Sequence, residues 1–166
     1  MQSLKSYFVL SLLISSLFAC EKKEESQPSI EANKIAALLA SPEMINLNNY
    51  LLKIESDIWR NFMPPIDSNG SALMAQVVLS ERNQRTLNNS VQLRKVYLIK
   101  QDELWSKSFD SSDSSSPYQV SGMVRNGPTW GPNIKVDLVC EFTFAGEVLT
   151  LSIRSTAGKC RRFCTT

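Results

Sequence analysis

Between residues 134 and 154 the chain alternates with a period of two. Ile134, Val136, Leu138, Cys140, Phe142 and Phe144 are interleaved with Lys135, Asp137, Glu141 and Thr143, and Val139 is the one apolar exception. After Ala145-Gly146 the alternation resumes, with Leu149, Leu151 and Ile153 set against Thr150, Ser152 and Arg154. Successive side chains of a strand point to opposite faces, so this segment needs one face on a core and the other in water. The Ala-Gly interruption folds it back on itself as an antiparallel hairpin.

Short apolar or alternating runs precede this hairpin at residues 73–79, 91–99, 104–109 and 117–124. Turn signals separate them: Asp67-Ser68-Asn69-Gly70, Asn88-Asn89-Ser90, Gln101-Asp102 and a serine-rich loop at 110–116. Upstream, residues 30–62 read as helical. Ser41-Pro42-Glu43 resembles a helix start, with Ser as N-cap and Pro at the first position. Ile54 with Ile58 and Glu55 with Trp59 stand four apart, as same-face helical neighbours do, before Pro64-Pro65 ends the run. The expected class is therefore α+β: N-terminal helices, then a mainly antiparallel β-sandwich of immunoglobulin-like pattern.

With 166 residues the chain has the length of one ordinary domain. Its net charge of +2 lacks the basic excess of a nucleic-acid binder. It has no histidine, so Ser-His and Cys-His catalysis and His-ligated zinc are ruled out. The sequence carries no phosphate-binding glycine loop, and no catalytic residue, metal site or cofactor is expected. Glu55 with Asp57, and Asp102 with Glu103, stand one or two residues apart and would point away from each other on a helix, so neither is read as an acid/base pair. Asp110 and Asp113 lack the oxygen spacing of a calcium loop.

The first twenty residues are of another kind. A short segment bearing Lys5 is followed by an uncharged apolar run at 7–18, which would span only about 18 Å as a helix. That is the length of a signal peptide and well short of the ~30 Å hydrocarbon core. Leu17-Phe18-Ala19-Cys20 resembles the lipobox of bacterial lipoproteins, with Phe18 larger than the residue usual at its position. The resemblance implies that the Cys20 sulfur takes a diacylglycerol and that a peptidase removes residues 1–19. It also implies attachment to the membrane through acyl chains. Glu21 beside Cys20, where inner-membrane retention signals carry Asp, favours the outer membrane. Residues 20–29 are then the lipidated cysteine and a polar tether, 30–64 a helical segment and 65–166 the sandwich domain.

Three other cysteines remain: Cys140, Cys160 and Cys164. An exported compartment permits disulfides, and any pair of the three could form one. A Cys140–Cys160 bridge would close about twenty residues and stabilise by roughly 3 kcal/mol. The most unusual stretch is Asn126-Gly127-Pro128-Thr129-Trp130-Gly131-Pro132-Asn133. Its prolines stiffen a loop around Trp130, which either plugs the end of the sandwich or presents itself to a partner. Trp59 and Trp105 are expected in the core. Arg161 and Arg162 in the basic tail are further binding candidates. The sequence thus suggests a non-enzymatic interaction or structural module with a protein partner in the cell envelope, a class that includes inhibitor and immunity-type binders. A carrier of a small apolar or lipid ligand is the alternative, and an enzyme the third choice.

Overall fold

A computed structural model describes residues 30–60, 71–87, 91–131 and 134–157. Among them a single helix, α1 (Ile30–Leu39), precedes nine strands: β1 (Met44–Leu47), β2 (Tyr50–Arg60), β3 (Leu73–Glu81), β4 (Val91–Lys100), β5 (Glu103–Ser108), β6 (Ser111–Ser116), β7 (Gln119–Val124), β8 (Ile134–Phe144) and β9 (Glu147–Ala157). They form two antiparallel sheets, ordered β1-β2-β3-β7-β6 and β5-β4-β8-β9.

The period-two segment forms the β8–β9 hairpin, with Phe144 paired to Glu147 across Ala145 and Gly146. Both turn residues have positive φ (50° and 90°), as a two-residue turn matched to strand twist requires. Val136, Leu138, Cys140 and Phe142 are buried on its inner face.

The N-terminal region departs from expectation. The helix ends at Leu39, and residues 44–60 form a β-hairpin. A spacing of four fits two strand periods as well as one helical turn. Leu52, Ile54, Ile58 and Arg60 share the buried face of β2, while Glu55 is exposed. Asn48 and Asn49 both adopt positive φ (48° and 71°) between paired Leu47 and Tyr50. Ser41-Pro42 starts no helix. Its backbone lies along β9: Ser152 N–H donates to the Pro42 carbonyl at 2.9 Å and Ser152 Oγ to that of Ser41 at 2.6 Å.

The serine-rich stretch is also a strand. β6 pairs with β7, and Ser114 and Ser121 hydroxyls donate to nearby backbone carbonyls across that pairing. Backbone pairing on one side therefore overrides the weak strand propensity of serine.

Both sheets contribute to one core, with Leu52, Ile54, Val77 and Leu79 from the first and Val96, Leu98, Leu138 and Phe142 from the second. Each such side chain contributes about 1.5–3 kcal/mol on burial. Gly122 on β7 permits the approach: a Cβ there would stand 2.5 Å from Phe109 and 2.8 Å from Leu93. The α1 helix covers the opposite face of the second sheet, packing Ile35 and Leu38 on Tyr97, Ile99 and Val139. A ten-residue helix is marginal alone, so this contact sustains it.

The two ends of the molecule differ. At one, Tyr50 packs edge-on against Phe144, and buried Glu81 organises the loop after β3. Its carboxylate accepts the Leu51 N–H at 3.1 Å and the Arg85 N–H at 2.8 Å. Burial pushes the Glu81 carboxyl up, but backbone donors from Arg85, Leu51 and Asn83, with the Arg85 charge, hold it below the usual range. At the other end lie Arg60, Leu73, the β4–β5 turn and the loop bearing Trp130.

Candidate functional site

β7 stops at Val124, and the next residues are anchored one by one. The Arg125 N–H donates to Asp110 Oδ2 at 2.7 Å, and Lys107 Nζ holds Asp110 Oδ1 at 2.6 Å. Lys107 foremost, then the Arg125 N–H, holds the Asp110 carboxyl below the usual range against slight desolvation. Asn126 has φ 59°, in the left-handed region, and turns the chain toward the start of β3. There the Gly127 N–H donates to the Leu73 carbonyl at 2.8 Å, and the Leu73 N–H donates to the Pro128 carbonyl at 3.2 Å. A Cβ at position 127 would stand 2.8 Å from the Leu73 oxygen, so this close backbone pairing needs glycine.

This pinned loop delivers Trp130, half-buried with its ring against the shared core. The indole N–H donates to Glu103 Oε2, and Lys100 Nζ lies 5.5 Å from the ring centroid. Lys100 also pairs with Glu103 Oε1 at 3.0 Å. The Lys100 bond first, with the Trp130 N–H adding to it, holds the Glu103 carboxyl below the usual range despite some desolvation. Trp130 is thus seated by core contact, a hydrogen bond and a cation while part of its surface stays open. Both uses of this tryptophan, as a seal over the core and as a presented aromatic, have a geometric basis. An aromatic fixed in this way has little conformational freedom to lose on binding.

Comparisons with protein-family models, with curated proteins and with solved structures found no match.

The other sequence candidates separate. Cys140 is fully buried on β8 with a free thiol, and burial, with the Glu141 charge adding, pushes its pKa up to about 12. Cys20, Cys160, Arg161, Arg162 and Cys164 lie outside the described residues. Trp105 is half-buried against the core, as expected. Trp59 is half-buried too, but the alternation of β2 puts it on the side of the sheet away from the core, beside Met74. Glu55 pairs with Lys53 at 2.6 Å. Arg94 lies 3.7 Å from Glu141, which also accepts the Tyr97 hydroxyl at 3.0 Å. A polar cleft of about 170 Å³ opens between Ser41 and Glu43 and the Asp137–Arg154 pair. Among the described residues no three acidic or cysteine side chains cluster as a metal site, and no helix is long and apolar enough to cross a membrane.

Sequence reasoning missed the partnership of Lys100 with Trp130, because two residues 30 apart show no local pattern. It also missed Arg60. Once β2 is read as a strand, Arg60 continues the inward series of Leu52, Ile54 and Ile58, a conspicuous place for a guanidinium.

Proposed function

We propose that this chain is a lipid-anchored bacterial envelope protein acting as a non-enzymatic interaction module, of inhibitor or immunity type, with Trp130 as its central contact. In this reading Cys20 carries the acyl anchor, the outer membrane is the destination, and residues 20–29 are the tether. The paired antiparallel sheets are read as a sandwich of immunoglobulin-like pattern, displaying its loops away from the anchor. The observation that carries the proposal is the seating of Trp130. Glu103 and Lys100 hold a half-open ring on a loop tied to β3 by two backbone hydrogen bonds. Tryptophans held in this way are favoured as contact centres, because the orientation cost is met during folding.

The test is a crosslinked pull-down of the lipidated protein from its native envelope, comparing wild type with Trp130→Ala at a temperature where both are folded. The expected result is a defined protein partner whose recovery falls at least roughly tenfold in the variant. Equal recovery would remove Trp130 from the contact, and a co-purifying lipid in place of a protein would favour the carrier reading. In parallel, Cys20→Ser should release the chain from membranes and abolish palmitate incorporation. Continued labelling would contradict the anchor.

A further inference from the structure

Arg60 ends β2 with its side chain on the core-facing side, and only 6% of the residue is exposed. Two of its nitrogens, Nε and Nη2, are buried and have no hydrogen-bond partner among the described residues. A guanidinium stays charged in a protein, so it cannot escape burial by losing a proton as a lysine can. Burial works against its charge and lowers its pKa, and among the described residues no acid pairs with it as one ordinarily does with a buried arginine.

The identity of the two bare atoms is informative. Nε–H and the outer N–H of Nη2 lie side by side on one edge of the planar group. They form a fork whose spacing matches two oxygens on one carbon or phosphorus. We propose that Arg60 is a receptor for a single oxyanion, a carboxylate or a phosphate group, bound bidentate at the Nε–Nη2 edge. The site is at the same end of the molecule as Trp130, since Arg60 pairs with Leu73 and Leu73 is hydrogen-bonded to the Trp130 loop. It goes beyond the interaction reading and does not depend on it, because oxyanion binding at Arg60 requires neither a protein partner nor the lipid anchor.

The test follows the Arg60 Nε–H by nuclear magnetic resonance in the full chain, labelled with nitrogen-15 and kept in a non-ionic detergent. Acetate and inorganic phosphate are titrated separately, against chloride at matched ionic strength. The expected result is a saturable shift of the Arg60 signal with at least one of the two oxyanions and none with chloride. The oxyanion that saturates at lower concentration identifies the class. Melting temperature should rise over the same range in wild type. Arg60→Lys keeps the charge but removes the fork, and should need at least roughly tenfold more anion for the same rise. An Arg60 signal that no oxyanion moves would overturn the proposal. So would a signal displaced by Asp67→Asn in the absence of added anion, since the chain would then supply its own carboxylate.

Discussion

Cys140 shows how the two sides of one strand decide a side chain's chemistry. Its position in the alternation turns it inward, where it is fully buried among apolar neighbours, and its pKa rises to about 12. At pH 8 only about one such thiol in ten thousand is ionised, and the thiolate is the reactive form. A disulfide reagent of the aromatic type should therefore leave Cys140 untouched in the native protein and label it fully in guanidinium. Peptide mapping by mass spectrometry separates this signal from Cys160 and Cys164. Rapid native labelling of the Cys140 peptide would mean that the residue is not held in this core. Glu81 lies at the same depth and has the opposite tendency, since backbone N–H groups reward its charged form. The difference lies in hydrogen bonding, because burial disfavours the charge in both.

At the level of elements, the β1–β2 hairpin depends on its two asparagines. Positive φ at Asn48 and Asn49 suits glycine best, asparagine nearly as well and a β-branched residue poorly. Asn49→Val should cost about 1–2 kcal/mol in urea unfolding, and Asn49→Gly should be neutral or stabilising. Equal midpoints for wild type and the valine variant would show that the turn is not formed as described. The same hairpin marks where the sequence was misleading. In β8 and β9 polar residues fill the alternate positions, so period two stands out and the hairpin was legible to the residue at its turn. In β2 the outer positions include Leu51 and Trp59, and the inner ones include Ser56 and Arg60. That mixture blurs the alternation and leaves four-residue spacings that imitate a helix. The serine strand β6 was equally illegible, since its support comes from pairing with β7 and not from its own side chains. Of the candidate site, the rigid loop and its tryptophan could be read locally. Lys100, Glu103 and Arg60 acquire their roles only when the fold brings distant segments to one end.

For the molecule as a whole, these ionisable groups define a broad window of stability against pH. Glu81, Glu103 and Asp110 all have folded pKa values below their ordinary ones. In acid the unfolded chain therefore binds more protons than the folded one, and their contribution is present above the ordinary carboxylate range and is lost as pH falls through the folded values. Tyr97, by burial and by donation to Glu141, and Cys140, by burial, have folded values above their ordinary ones. Their contribution is present below the unfolded values and is lost as pH rises, for Cys140 between roughly 8.5 and the folded value of about 12. Between these limits the sequence contains no histidine, so no side chain of ordinary pKa near neutrality titrates. The melting temperature should accordingly be flat from about pH 5.5 to 7.5 and fall on either side. Glu81→Gln should flatten part of the acid limb, because an uncharged amide keeps the shape but not the pH-dependent bonds to Leu51 and Arg85. Cys140→Ala should flatten part of the alkaline limb. Thermal melts of the three proteins across pH 3–11 decide the matter: an inflection within the neutral plateau would require a titrating group that this fold does not provide, and an unchanged acid limb in Glu81→Gln would remove that carboxylate from the account.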